Sequence, residues 1–143
     1  MTIPVNEHIA ISRLMYRYAY CADHKDYAGF ADVFSEDAVF LYMGAPVTSL
    51  QNIQEMMLAL EKYSRTLHQV SNVLYDVVGD RASGETYCLA SHIFTEDEQE
   101  KKIDMGIIYT DELRKTEVGW RIERREFDVL WTTTCDVEVP GAE

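Results

Sequence analysis

Cysteine, proline and positive charge are all scarce in this sequence, and each scarcity removes a class of protein. Three cysteines (Cys21, Cys88, Cys135) cannot form a complete disulfide set, and they sit in apolar or strand-like contexts. Reduced thiols in a cytoplasmic protein are the expectation. Only 3 prolines and 7 glycines occur in 143 residues, with no low-complexity tract, linker or internal repeat, so no disordered half is expected. Lys and Arg number 13 against 25 Asp and Glu, a formal net charge of −12. That balance argues against nucleic acid as a partner, because phosphate binding needs a basic face. It also repels anionic substrates unless an arginine waits inside, which favours a neutral or weakly polar one. The apolar runs fall far short of a membrane span. Residues 1–7 show neither the basic nor the apolar region of a secretory leader. Metal-ligand spacings such as His-x-His, His-Glu-x-x-His and Cys-x-x-Cys are missing, so no metal is expected. There is likewise no glycine-rich phosphate loop and no Gly-x-Ser-x-Gly elbow. Cys88 has no base beside it in sequence and reads as a buried structural thiol.

What is present is the material of one domain, residues 1–143, with a hydrophobic fraction of 47% and enough length for a proper core. Asn6 stands where it could cap a first helix with the stripe Ile11, Leu14, Met15, Tyr18, Ala22, a 3.6-residue period. A short second helix is expected over 27–34, with Phe30, Val33 and Phe34 on its buried side. A strand over 38–42 is ended by Gly44 and Pro46. Thr48 and Gln51 form a capping box for a third helix with the stripe Ile53, Met56, Met57, Leu60. Strands are then expected over 66–78, 82–95, 103–115 and 120–132. The acidic run Glu96-Asp97-Glu98-Gln99-Glu100 reads as a solvated hairpin loop. Three helices followed by a meander of long antiparallel strands make an α+β arrangement. Such strands curl, and helices on the concave side close a cone with a cavity inside.

An acid and a base far apart in sequence stand at the points where that cone would bring them together. Asp23 lies where the first helix runs out, and His68 opens an apolar strand. A carboxylate–imidazole pair abstracts protons, because the carboxylate sets the ring tautomer and stabilises the imidazolium. Strand alternation puts His68, Val70, Asn72 and Leu74 on one face, so Asn72 is a candidate substrate contact. His92 shares a face with Cys88, Ala90 and Phe94. Arg125 alternates with Phe127, Val129 and Trp131, an apolar face where an arginine must be paired, either to a leaving group or carboxylate or to a buried acid such as Asp23. Arg124, Ile122 and Asp128 should point outward. Met56, Met57, Tyr109 and Phe127 are expected to line an apolar interior. Apolar residues on both faces of the long strands call for a partner subunit.

Several segments together carry a family resemblance: the tyrosine-bearing helix with Ala22-Asp23-His24-Lys25-Asp26, Phe30-Ala31-Asp32-Val33-Phe34-Ser35-Glu36-Asp37-Ala38-Val39-Phe40, Thr66-Leu67-His68, Gly84-Glu85-Thr86-Tyr87-Cys88-Leu89-Ala90-Ser91-His92 and Gly119-Trp120-Arg121-Ile122. In order and spacing they resemble the SnoaL-like branch of the nuclear transport factor 2 (NTF2-like) superfamily. Within it the chain looks most like the scytalone dehydratases, the bile acid 7α-dehydratases and the hexachlorocyclohexane dehydrochlorinases. The resemblance implies a cone-shaped α+β barrel, a pocket that needs no cofactor, and a homotrimer more than a dimer. It places Asp23 on the aspartate that partners the catalytic histidine and His68 on the base. Tyr42 falls on a tyrosine that helps polarise the substrate carbonyl in scytalone dehydratase, although it could equally be a rim aromatic. Tyr18 matches a tyrosine of the bile acid dehydratases, and it also belongs to its helix's own apolar stripe. His92 resembles the second histidine of scytalone dehydratases, a general acid or a histidine near a sheet edge. Arg125 corresponds to the arginine of the dehydrochlorinases.

The function expected is a cofactor-independent lyase, a dehydratase acting on a small cyclic or polycyclic hydroxy-ketone through an enolate. A ketosteroid-type isomerase or cyclase would use the same base and oxyanion hole. A non-catalytic binding domain or oxygenase small subunit would instead fill the pocket with side chains.

Overall fold

A computed structural model describes residues 3–141. The first helix, α1 (Val5–Asp23), contains no glycine and no proline and buries Ile11, Leu14, Met15, Tyr18, Cys21 and Ala22. Its N-cap is Pro4, without a side-chain cap, and Asn6 lies inside the first turn. The helix starts ahead of the expected asparagine cap because the Pro4 carbonyl already accepts from the His8 amide at 3.0 Å. The helix stops because Lys25 turns left-handed, with φ of 53°, and the Asp26 amide closes back on the Cys21 carbonyl at 2.9 Å. Asp23 is thereby left as the last helical residue.

Two α-helices stand where three were expected. The stretch after α1 makes only a 3-10 turn, Ala28–Asp32. A Cβ on Gly29 would meet Asp26 and the Cys21 sulfur at under 3 Å, and the Gly29 amide is already taken by Asp26 Oδ1 at 3.0 Å. Phe34 then enters β1 (Phe34–Tyr42), opposite Ile122. Met43 and Gly44, both at positive φ, form a two-residue turn into β2 (Ala45–Thr48), a strand not foreseen because Gly44 and Pro46 read as terminators. Pro46 is tolerated there because β2 is an edge strand. Thr48 spends its backbone pairing with Val39, so the cap of α2 (Leu50–Met57) passes to Ser49, whose side chain accepts from the Asn52 amide at 3.2 Å. A 3-10 segment, Leu58–Lys62, follows.

The meander is β3 (Arg65–Val78), β4 (Arg81–Glu96), β5 (Gln99–Thr116) and β6 (Gly119–Asp136). With β1 parallel to β6, the sheet order is β2-β1-β6-β5-β4-β3. This six-stranded sheet curves around α1 and α2, the α+β cone expected from the sequence. Three bulges re-aim side chains, since one extra residue reverses which face each later residue takes.

The bulge between Val70 and Val73 sends Val73, Tyr75 and Val77 inward and turns Asn72 and Leu74 to solvent, Leu74 being 61% exposed. Glu123 is the extra residue of a second bulge, so Ile122, expected outside, is fully buried. Leu130 is the extra residue of the third. Trp131 therefore leaves the face of Phe127 and Val129 and lies over Gly106 on the outside of the sheet, where a Cβ would meet its indole at 2.3 Å. Among the described residues no helix is long and apolar enough to cross a membrane.

Candidate functional site

The end of α1 meets the start of the edge strand β3, and there the acid meets the base. Asp23 Oδ1 lies 2.7 Å from His68 Nδ1. The other oxygen, Oδ2, accepts from the His68 backbone amide at 3.0 Å, and the Thr66 hydroxyl donates to Oδ1 at 2.9 Å. Partial burial raises the Asp23 carboxyl, but the bonds from the His68 ring, its amide and Thr66 outweigh this and hold it below the usual carboxylate range. An ionised Asp23 makes Nδ1 the donor, which leaves Nε2 as the ring's lone-pair nitrogen. The imidazole itself is 6% exposed.

His68 forms part of the wall of a cavity of about 230 Å³. Tyr18 and Ala22 come to it from α1, Phe40 and Tyr42 from β1, Met105, Ile107 and Tyr109 from β5, and Phe127 from β6. Met56, Met57 and Leu60 roof it, with Lys62 and Tyr63 at the lip. Met56, Met57, Tyr109 and Phe127 thus all line it. Tyr42 is half-exposed and stacks on Phe127 at 5.4 Å, which puts it at the mouth. Tyr18 is buried, edge-on to Phe30, Phe34 and Tyr109; burial raises its phenol against the opposing pull of Arg125.

His92 also lines the cavity, with its ring edge-on to His68 at 5.5 Å and tilted on Tyr63 at 4.7 Å. Its Nδ1 is buried with no hydrogen-bond partner among the described residues. Burial, then the neighbouring His68, push its pKa down to about 4, so the ring is neutral at neutral pH. Burial raises the Cys88 thiol to about 11, which keeps it unreactive.

Two candidate contacts lie away from the cavity. Asn72 is exposed beyond the first bulge and cannot reach the interior. Arg125 is fully buried but does not line the cavity; it pairs with Asp111, not Asp23, through Nε–Oδ1 at 2.8 Å and Nη2–Oδ2 at 2.7 Å. Asp111, directly opposite Arg125 in the sheet and two residues from Tyr109, was legible as its partner only once the register was known. Thr66 was missed, although it shares a strand face with His68 two residues on. Among the described residues no three His, Cys, Asp or Glu side chains cluster so as to hold a metal ion.

Comparison with known proteins shows what the chain resembles. Residues 5–126 match a SnoaL-like domain. An uncharacterized protein of Mycobacterium tuberculosis is 27% identical over 124 residues, covering 85% of this chain and 84% of that protein. A candidate scytalone dehydratase of Novosphingobium aromaticivorans superposes with a TM-score of 0.79 at 26% identity, over 96% of this chain and 92% of that one. A candidate aromatic ring hydroxylase of the same species gives 0.82 at 27%, over 95% and 96%. A hexachlorocyclohexane dehydrochlorinase, LinA type 2, gives 0.84 over 96% and 97%, at 18% identity, and shares the fold.

Proposed function

The chain belongs to the SnoaL-like domain family, and from that premise we propose that it is a lyase that eliminates water from a small cyclic hydroxy-ketone. The observation that carries this reading is the Asp23–His68 pair on the wall of an apolar cavity. A core histidine satisfied for structural reasons would have no cavity beside it; here the ring lines one, with Nδ1 tied to a carboxylate, and in this reading Nε2 serves the guest. The likeness to a candidate dehydratase and a dehydrochlorinase supports elimination chemistry.

In this reading Nε2 of His68 removes a proton from the carbon beside the substrate carbonyl. Asp23 orients the ring and stabilises the imidazolium. The electrons move onto the carbonyl oxygen, and the enolate accepts hydrogen bonds from the Tyr18 phenol inside and the Tyr42 phenol at the mouth. Collapse of the enolate expels the hydroxyl one carbon further on. The His68 imidazolium returns its proton to that leaving oxygen, so water and an unsaturated ketone leave and His68 is again neutral. His92, neutral at working pH, offers the hydroxyl a hydrogen bond instead of acting as a cationic acid. The carbonyl is essential, because general base catalysis supplies only about 10²–10⁴-fold and the C–H must already be acidic.

A cavity of about 230 Å³ falls below the roughly 300–1,000 Å³ of drug-sized sites. One or two fused rings fit that space better than a four-ring skeleton. Aromatic and thioether walls suit a flat, unsaturated guest.

The test is a screen of one- and two-ring hydroxy-ketones by mass spectrometry for loss of water. A product of unchanged mass would assign an isomerase or cyclase instead. Turnover by His68→Ala at near the wild-type rate would overturn the mechanism.

A further inference from the structure

Behind the cavity wall lies a buried charge pair that no step above uses. The Arg125 guanidinium lies over two tyrosine rings that touch edge-on, 4.4 Å from the centroid of Tyr18 and 4.1 Å from that of Tyr109. Both tyrosines line the cavity, and Arg125 does not. Asp111 grips the guanidinium edge through both oxygens and accepts from the Tyr75 hydroxyl at 2.6 Å. Tyr75 is in turn 2.7 Å from the Thr86 hydroxyl. Nη1 of Arg125 has no hydrogen-bond acceptor among the described residues.

A buried Arg–Asp pair costs desolvation that its own attraction barely repays, so it is a poor device for stability alone. Its geometry here is informative. Asp111 fixes the position of the guanidinium, and the cation lies over both rings, which meet each other edge-on at 68°. A cation over a ring also draws charge from the phenol, which strengthens any hydrogen bond its O–H donates.

We propose that Arg125 is a positioning residue that acts through Tyr18 and Tyr109: held by Asp111, it anchors the edge-on ring pair it lies over and sharpens the Tyr18 phenol as a donor to oxyanions in the cavity. The inference rests on the enolate reading above and deepens it. It assigns the site a preference for guests with a partly negative oxygen at the Tyr18 end, and it removes Arg125 from the substrate contacts expected from sequence. Arg125 selects the charge of the guest without touching it.

The experiment uses binding and needs no turnover, so it stands apart from the failure of any dehydratase assay. Calorimetry at neutral pH measures toluene, 4-methylphenol and 4-cyanophenol against the wild-type protein. The variants are Arg125→Met/Asp111→Leu, which removes both charges at similar volume, and Arg125→Lys, which keeps the charge but loses the planar face. Wild-type affinity should rise from toluene to the more acidic phenol. The double variant should bind toluene as before but lose about tenfold or more of the preference for 4-cyanophenol, a fraction of the 10²–10³ that losing an oxyanion donor outright can cost. Should the double variant fail to fold, Arg125→Lys decides, with an expected loss of at least about threefold in the same preference. Tyr18→Phe in the wild-type background should abolish the preference. A folded double variant, or failing that a Lys variant, with the wild-type preference intact would overturn the proposal.

Discussion

At the residue scale, Asp23 carries three hydrogen bonds on two oxygens, and each has a separable consequence. Asp23→Asn keeps the shape but removes the charge that stabilises the imidazolium, so kcat should fall by roughly 10²–10⁴-fold, in the range of other carboxylate–histidine systems. Steady-state kinetics on the substrate found by the screen, with circular dichroism to confirm the fold, measure this. Thr66→Val removes only the 2.9 Å bond to Oδ1, which keeps its bond from the His68 ring, and should cost far less, about three- to tenfold, in line with the roughly 0.5–1.5 kcal/mol of an ordinary hydrogen bond.

His92 makes a prediction in pH. Its folded pKa of about 4 lies below the ordinary 6.5, so between those values the unfolded chain binds a proton that the folded one refuses. Stability must therefore fall as pH drops through 6.5 toward 4. Urea unfolding of wild type and His92→Leu at pH 7.5 and 5 should show the wild type losing about 2 kcal/mol more than the variant. Equal losses would mean that His92 is protonated in the fold.

At the scale of elements, the bulges decide which residues serve the site. Without the bulge after Val70, Asn72 would have kept step with His68, and the amide would face the guest. The pairing of β3 with β4 is equally tight, since a Cβ on Gly84, opposite Tyr75, would meet the Leu74 carbonyl oxygen and the Tyr75 Cα at under 3 Å. Backbone cannot swing aside as a side chain can. Gly84→Ala should destabilise by about 3 kcal/mol or more, among the larger effects of single substitutions, measured as a fall in the denaturation midpoint. Ser49→Ala should cost about 1 kcal/mol as the loss of a cap. The same substitution at Thr48, the cap expected from sequence, should cost less.

At the scale of the whole molecule, the outside of the sheet carries the apolar surplus. Leu89, Gly106 and Trp131 fall in one row across β4, β5 and β6, with Leu89 39% and Trp131 48% exposed. Leu67 and Leu130 are also more than half exposed. We propose that this face meets other copies of the chain, with the homotrimer favoured by the family resemblance. Analytical ultracentrifugation at micromolar concentration should give a mass well above the 16.5 kDa of one chain, and Leu89→Arg should lower it. A monomeric wild type would count against the assembly.

Much of the fold is a matter of local pattern. The 3.6-residue stripe of α1, the four long strands and their turns follow from periodicity that neighbours in sequence enforce on one another. So does the placing of Asp23 at a helix end and His68 at a strand start. Parity along a strand, however, holds only until a bulge, and bulges arise from pairing with another strand. Hence simple alternation puts Asn72, Ile122 and Trp131 on the wrong faces, while His68, ahead of the first bulge, falls on the right one. Arg125 needed a partner by its chemistry alone, but whether that partner was a guest or an acid, and which acid, depended on the register of β5 against β6. The bond between Asp23 and His68 required α1 and β3 to pack at one particular height, a choice made by the whole core and written in no single segment.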